Sequence, residues 1–315
     1  MARISLVLAL EDYDRTHALI EETVRPEGID LVPIVVGSSE RHARTLRGEF
    51  DAAEMSLSQY IMAKSRGADM TAIPVFPRRL FSHACVYVHT GSNITQPQDL
   101  VGRRIGTSNF QFTMAVVARG DLHHHYGVRM TEVTWVTVAE ELVPFTPPPG
   151  VRIEHRPGGN LNAMVDSGEV DAHIYPDVIP PYERGSPGVR RLFPNFPEWD
   201  RRYYEKTGVY PIMHLVAIRD DVHRRHPWVA RSLWRAFEEA KRRALEHLSH
   251  PFNVSLAWGR WLLEEERAVF GRDPYPYDLS EGNRRSLEMM MRYQIEQGLL
   301  EEPLPLEALF AVTAP

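Results

Sequence analysis

The chain has 315 residues, 43% of them hydrophobic and 25% charged, which is ordinary globular composition and enough for two domain-sized cores rather than one. A formal net charge of -6 and a pI near 6.2 leave no basic field to hold a polyanion, so no nucleic-acid partner is expected. Cys85 is the single cysteine, which excludes an intrachain disulfide, a CxxC redox pair and a multi-thiolate metal site; any metal would have to come through histidines and carboxylates, and none is expected.

In chain order, Ile4 to Leu10 and Ile29 to Val36 are β-branched runs that predict strands, and Arg15 to Val24 between them predicts a helix opened by the capping types Asp12, Asp14 and Thr16. The first apolar run meets Glu11 and Asp12 at once, with no small-residue cleavage site behind it. It reads as a strand rather than an export signal, so the expected location is cytoplasmic. No stretch approaches the roughly 18 apolar residues of a membrane span, and no membrane partner is expected. A helix from Ser39 to Arg47, stopped by Gly48, and a strand beginning at Phe50 continue the alternation and predict a parallel, helix-covered sheet.

One construction recurs. Gly48-Glu-Phe-Asp-Ala-Ala-Glu54 and Gly168-Glu-Val-Asp-Ala-His-Ile174 each follow an amphipathic helix and lead into a strand that delivers polar groups at its end, Glu54 to Ser56 in one copy and Tyr175 to Asp177 in the other. The motif is short, and chance accounts for it as well as duplication does; duplication predicts two similar lobes. Between the copies, Asp99 to Gly106 predicts a turn and a short strand, and Thr107 to Thr113 sets small polar residues ahead of a helix running to Tyr126. Such a helix start is an anion site, with Ser108, Gln111 and Thr113 as side-chain donors; ordinary N-capping is the plainer explanation of Ser or Asn alone.

Residues 143–159, rich in Pro and Gly, predict a surface loop. Val209 to Arg219 predicts a strand returning to the first lobe, and His226 to Leu248 and Ser280 to Gln297 predict long helices. The expected fold is α/β in two lobes, with helices packed on mostly parallel sheets. Lobe 1 is 1–88 plus 213–315 and lobe 2 is 89–212. Cys85 to His89 and Ile212 to Ile218 cross between the lobes, and the ligand cleft lies between them.

Several chemistries are absent: there is no GxSxG elbow, Walker loop, GxGxxG or HExxH. His123 to His125 cannot converge on one ion, because consecutive helical side chains fan about 100° apart. His223 and His226 read as solvated helix-end residues. The Pro-stiffened stretch Ile73 to His83 puts Arg78, Arg79 and His83 near a strand end, where guanidinium groups can clamp carboxylates; with 33 Arg against 3 Lys in the chain, any one arginine is as readily plain surface. Arg15 follows the first strand at the edge where Glu54, Ser56 and His83 fall in a parallel sheet. His214, in an otherwise apolar strand after Pro211, reads either as a satisfied buried histidine or as a proton donor facing the cleft. Met289 to Met291 and Trp228, Trp234, Trp258 and Trp261 read as helix packing rather than a cofactor box.

Asp12-Tyr-Asp-Arg-Thr16, Arg25-Pro-Glu-Gly-Ile-Asp-Leu31, Glu54-Met-Ser-Leu-Ser58, Ala72-Ile-Pro-Val75 and Phe81-Ser-His83, followed by Asp99 to Gly106, Arg191-Leu-Phe-Pro194, Tyr210-Pro-Ile-Met-His214 and Glu296-Gln-Gly-Leu299, resemble 4,5-dihydroxyphthalate decarboxylases along nearly the whole chain. The resemblance implies a type II periplasmic-binding-protein-like fold and a small aromatic or carboxylate ligand. It also implies loss of one carboxylate from a dihydroxylated phthalate to give protocatechuate and carbon dioxide, with no obligatory cofactor. One acid and several anion clamps suffice for that reaction. On this footing His214 or His83 is the expected proton donor and Glu54 or Asp12 the acceptor from a phenolic hydroxyl. Arg15, Ser56, Arg78, Arg79, Ser108, Gln111, Thr113 and Tyr175 are the expected substrate-binding side chains.

The chain departs from the family's pattern at Ser108-Asn-Phe110, His173-Ile-Tyr-Pro176 and Asp278, which leaves a related aromatic acid open as the substrate. A solute-binding or ligand-sensing protein for a small carboxylate, without catalysis, is the second reading. A pyrimidine-precursor synthase would need a clustered His/Cys iron site that the sequence lacks. The helical C-terminus is a candidate surface for a twin subunit.

Overall fold

The computed structural model of the chain describes residues 3–250 and 252–311. Its strands, in chain order, are β1 (Ile4–Leu10), β2 (Ile29–Val35), β3 (Ala52–Ser56), β4 (Met70–Arg79), β5 (Val86–His89), β6 (Arg104–Thr107), β7 (Thr134–Thr137), β8 (Arg152–His155), β9 (Ala172–Ile174), β10 (Val189–Arg191) and β11 (Ile212–Arg219). They form two sheets, ordered β2-β1-β3-β11-β4 and β10-β5-β9-β6-β7-β8.

The chain divides into two compact units. The first holds the residues through Arg79, His214–Arg284 and those from Leu304 on; the second holds Leu80–Met213 and Arg285–Pro303. Residues 80–88, 213 and 285–303 thus belong to the second unit, where the sequence suggested the first; residues 1–2, 251 and 312–315 of that expected lobe lie outside the described residues. The reason is packing. Along the helix Glu281–Glu296, Met289, Met290, Met291 and Tyr293 are buried, and the Tyr293 ring packs directly against Gly120 of the helix Thr113–Tyr126. A β-carbon at position 120 would sit 2.0 Å from that ring. Gly120→Ala is therefore expected to cost about 3 kcal/mol by overpacking, read as a lowered urea midpoint.

The two copies of the Gly-Asp construction fold alike. Gly48 and Gly168 have φ of 74° and 82°, the left-handed conformation that glycine adopts without penalty after a helix. Asp51 accepts the Val7 amide of β1 at 2.9 Å through its carboxylate, and its carbonyl accepts Arg219 N at 2.9 Å. Asp171 does the same with the Arg104 amide of β6 and with His89 N, both at 2.9 Å. In each case the strand that follows lies parallel to one neighbour and antiparallel to the other: β3 between β1 and β11, β9 between β6 and β5. The Asp carboxylate tethers the parallel neighbour and its carbonyl tethers the antiparallel one, which sets the register of both pairings.

Some boundaries moved. The first helix is Asp14–Ile20 rather than Arg15 to Val24, because the chain turns at Glu22, which holds a positive φ of 57°. The long helix is Trp228–Ser249, with Pro227 as its cap. The segment 143–159 is not all loop, since Arg152–His155 forms β8, paired parallel to β7 with Thr134 opposite Arg152 and Thr137 opposite His155. The neighbouring prolines and glycines hid a strand of four residues.

Candidate functional site

Register places the site in the first unit. In the antiparallel pair of β3 and β11, Glu54 stands opposite Val216 and Ser56 opposite His214. Residues two apart on a strand share a face, so Glu54, Ser56 and His214 project to the same side of the sheet, with Glu54 and His214 as diagonal neighbours within reach of long side chains. The same logic applies where the chain leaves β1: Glu11 and Tyr13 turn toward Glu54, while Asp12 between them turns away to His17 at 2.8 Å on an exposed surface.

Glu54 is fully buried, and a buried carboxylate persists only when it is paired and hydrogen-bonded. Its Oε1 accepts the Tyr13 hydroxyl at 2.9 Å and His214 Nδ1 at 2.5 Å, and lies 3.4 Å from Arg41 Nη2; its Oε2 accepts the Glu11 amide at 3.0 Å. Arg41, on the helix Ser38–Leu46, is likewise fully buried. It donates to the Glu54 carbonyl at 3.0 Å, to Glu11 Oε2 at 3.1 Å and to the Val36 carbonyl at 2.5 Å. Burial alone pushes the Glu54 carboxyl up, but the Arg41 charge and the His214 hydrogen bond outweigh it and hold the group well below the usual carboxylate range.

An ionised carboxylate can only accept, so His214 Nδ1 carries the hydrogen of the 2.5 Å contact. Burial takes the His214 imidazole below its ordinary value against the pull of Glu54. The resting ring is therefore neutral, with its Nε2 lone pair turned away from Glu54. His42 packs edge-on to it, with ring centroids 5.0 Å apart. Burial above all, with the nearby Arg41 charge, keeps His42 neutral too, and its Nε2 finds no hydrogen-bond partner among the described residues. Burial and the Glu54 charge push the Tyr13 hydroxyl far up, so it stays a donor.

Positive charge stands beside this group. Arg78 acts electrostatically on Tyr13, His42 and His214. The Arg15 guanidinium lies 4.2 Å from the Tyr13 ring centre and 4.5 Å from that of Tyr275, and Arg15 Nε donates to the Pro77 carbonyl at 2.5 Å. Ser56 closes β3 as the cap of the helix Leu57–Ser65. Arg79 does not join the group: it is buried and donates to Asn283 and the Pro276 carbonyl.

The remaining expected residues lie in the second unit. His83 has both ring nitrogens engaged, Nδ1 with Asp200 at 2.7 Å and Nε2 with the Tyr126 hydroxyl at 2.8 Å, under the rings of Phe193, Trp199 and Tyr203. That leaves the ring no free nitrogen for a ligand. The helix start at 108–113 is occupied from within. Glu141 accepts the Phe110 amide at 2.5 Å and the Gln111 amide at 3.2 Å, and the Gln111 side chain exchanges two hydrogen bonds with the Val143 backbone. Asn109 caps the Phe112 amide at 2.9 Å, and the Ser108 carbonyl receives the amides of Val138 and Ala139. Gln111 and Thr113 are buried. The turn does bind a carboxylate, but a protein one, and the Gln111 side chain is taken up by the Val143 backbone rather than left for a ligand. Tyr175 lies at the end of β9, its ring 5.4 Å from that of His173.

Sequence reasoning missed Tyr13, Arg41, His42 and Glu11. Arg41 and His42 sit on a helix whose composition reads as polar surface, and the abundance of arginine hid that Arg41 is buried. Tyr13 stood inside a motif singled out for its neighbours. Among the described residues no three His, Cys, Asp or Glu side chains are grouped to hold a metal ion, and no helix is long and apolar enough to cross a membrane.

Two α/β units with these strand orders define a periplasmic-binding-protein-like fold. The periplasmic aliphatic sulphonate binding protein SsuA of Escherichia coli superposes with a TM-score of 0.52 at 14% identity, covering 98% of this chain and 88% of that one. Residues 25–146 match the NMT1/THI5-like family. A Comamonas testosteroni 4,5-dihydroxyphthalate decarboxylase is 32% identical over 98% of this chain and 97% of its own length, and the Pseudomonas putida enzyme of the same name is 32% identical over 61% and 78%. The chain belongs to the 4,5-dihydroxyphthalate decarboxylase family, a family of carboxy-lyases.

Proposed function

We propose that this protein decarboxylates 4,5-dihydroxyphthalate, or a closely related hydroxylated aromatic acid, without a cofactor, and that His214 delivers the proton. The observation that carries the reading is the buried, ionised Glu54 bound to His214 Nδ1 at 2.5 Å, an arrangement that orients an imidazole and stabilises its protonated form. Glu54 itself has its acceptor capacity filled by Tyr13, His214, Arg41 and the Glu11 amide. It serves as the orienting group here, not as the acceptor for a phenolic proton.

The chemistry runs as follows. A bound dicarboxylate adds negative charge beside His214 and favours the imidazolium, with the new proton on Nε2. That proton passes to the ring carbon bearing the departing carboxylate, and the resulting cation is shared with the hydroxyl oxygen para to it. The carbon–carboxylate bond then breaks, its electron pair returns to the ring, and carbon dioxide leaves. One proton from solvent restores the imidazolium. Arg78 and Arg15 supply the positive field for the carboxylates.

The test is incubation of purified protein with 4,5-dihydroxyphthalate and related aromatic acids, without added metal, following carbon dioxide release and thermal stabilisation. Release is expected, and kcat/KM is expected to fall as pH rises. The required form of His214 is protonated, and burial sets its pKa below the ordinary value, so an increasing share of enzyme is in the wrong form through pH 7 to 8, up to about tenfold per unit. Stabilisation without release on any acid would favour the second reading, a binding protein for a small carboxylate.

A further inference from the structure

On the reading that the ligand is a hydroxylated aromatic acid, we propose that His42 determines specificity, its Nε2 pairing with a ring hydroxyl while the arginines beside it take the carboxylates. The helix Ser38–Leu46 buries Arg41, His42 and Thr45, a polar stripe where a packing helix ordinarily buries an apolar one. Such a stripe is stable only when its groups are paired. Arg41 is paired with Glu54, Glu11 and the Val36 carbonyl, and Thr45 Oγ1 donates to the Arg41 carbonyl at 2.7 Å. His42 is 6% exposed, and its Nε2 has no partner among the described residues. An unpaired buried nitrogen weakens a fold, and this one stands where a ligand can restore its hydrogen bond. The His42 ring is edge-on to that of His214, with 5.0 Å between centres, so a single benzene ring can present a carbon to one imidazole and an oxygen to the other.

Charge selects a hydroxyl as the partner of His42. Burial above all, with the nearby Arg41 and Arg78 charges, keeps this imidazole neutral. A neutral imidazole offers one N–H and one lone pair, the complement of a hydroxyl, which both donates and accepts. A carboxylate only accepts, and it is drawn to a cation. Arg78, whose charge acts on Tyr13, His42 and His214, and Arg15, stacked on the Tyr13 ring, supply that charge. Glu54 is closed to a hydroxyl, since Tyr13, His214, Arg41 and the Glu11 amide engage its two oxygens. The carboxylates and the hydroxyls of one ligand are thus read by different side chains of the first unit, guanidinium groups for the former and the His42 ring for the latter.

Protocatechuate and benzoate carry the same carboxylate, differ only in hydroxyls, and are not substrates under the reading above, so titration calorimetry compares their dissociation constants without turnover. Wild type is expected to bind protocatechuate at least about 30-fold more tightly, because a site built around a hydroxyl leaves its own polar group unpaired when the hydroxyl is missing. His42→Phe keeps a ring beside His214 and removes the nitrogens. Its ratio is expected to fall to about threefold or less, with a melting temperature unchanged or raised, since an orphaned nitrogen is gone. His42→Gln restores a hydrogen-bonding group and is expected to keep at least about a tenfold ratio. A further measurement needs no variant: in NMR spectra of isotope-labelled imidazole nitrogens, protocatechuate is expected to shift the His42 Nε2 resonance and benzoate to leave it in place. A wild type that binds both acids alike, an undiminished ratio in His42→Phe, or an Nε2 resonance that neither acid moves overturns the proposal. Carbon dioxide release from 4,5-dihydroxyphthalate is scored separately. Discrimination lost in His42→Phe without release by wild type removes the decarboxylase reading and keeps His42 as the hydroxyl contact; release with the ratio undiminished removes only the role of His42.

Discussion

His214→Gln is expected to lower kcat by about 10³-fold while leaving the dissociation constant for 4,5-dihydroxyphthalate within about threefold, the signature of a lost general acid. The expectation follows from position. His214 Nδ1 is committed to Glu54 at 2.5 Å and the ring is held among His42, Glu54 and the charge of Arg78, so Nε2 is the nitrogen of His214 left to exchange a proton with a ligand. The residual decline of kcat/KM with rising pH should disappear in this variant. His83→Gln provides the contrast. Both of its nitrogens bind protein groups, Asp200 and the Tyr126 hydroxyl, and Asp121 beside it is a buried carboxyl pushed up to about 6 by that burial. Its loss is expected to lower the melting temperature with kcat within about threefold of wild type. Single-turnover carbon dioxide release and isothermal titration on the two variants separate these outcomes; full turnover by His214→Gln would assign the proton to another group.

The second large effect is on stability. Glu54→Gln is expected to cost 3 to 5 kcal/mol, roughly the penalty of leaving a buried charge without its partner, because Arg41 is fully buried and loses the carboxylate 3.4 Å from its Nη2. Arg41→Met strands Glu54 in the same way. Removing both leaves neither charge uncompensated, so the double variant should be less destabilised than the sum of the singles by about 2 kcal/mol or more. Urea unfolding gives the energies, and hydrogen exchange along β3 and β11 locates the loss in the first unit. Additive costs would mean that Arg41 is neutralised by Glu11, to which it is also bonded at 3.1 Å, and that Glu54 is held chiefly by Tyr13 and His214.

Much of this protein follows from local rules. The alternation of β-branched runs with amphipathic helices, the glycine stops at Gly48 and Gly168, and the aspartates three residues after each specify two sheets built on one plan, because these signals act within a few residues of themselves. Glu54 and His214 were legible as candidates for a related reason: a charged or titratable residue inside an apolar strand is conspicuous, since burial there requires a partner.

The partner itself is not a local property. That Glu54 and His214 meet depends on a pairing between strands 160 residues apart, and the face they share is set by a register that a slip of one residue would reverse. That Arg41, one of 33 arginines in the chain, is buried beside Glu54 depends on how one polar helix docks against β3. The turn at 108–113 carries every local mark of an anion site and is one, yet Glu141 thirty residues on fills it. Trp258 and Trp261 fit an amphipathic pattern and lie outside the core, because the helix that carries them packs by its other side. The sequence alone determined the elements and their order, through short-range sterics and hydrophobic periodicity. The tertiary structure decided which charges were desolvated together and which apolar face was left uncovered, since desolvation depends on everything packed around a group and not on its neighbours in the chain.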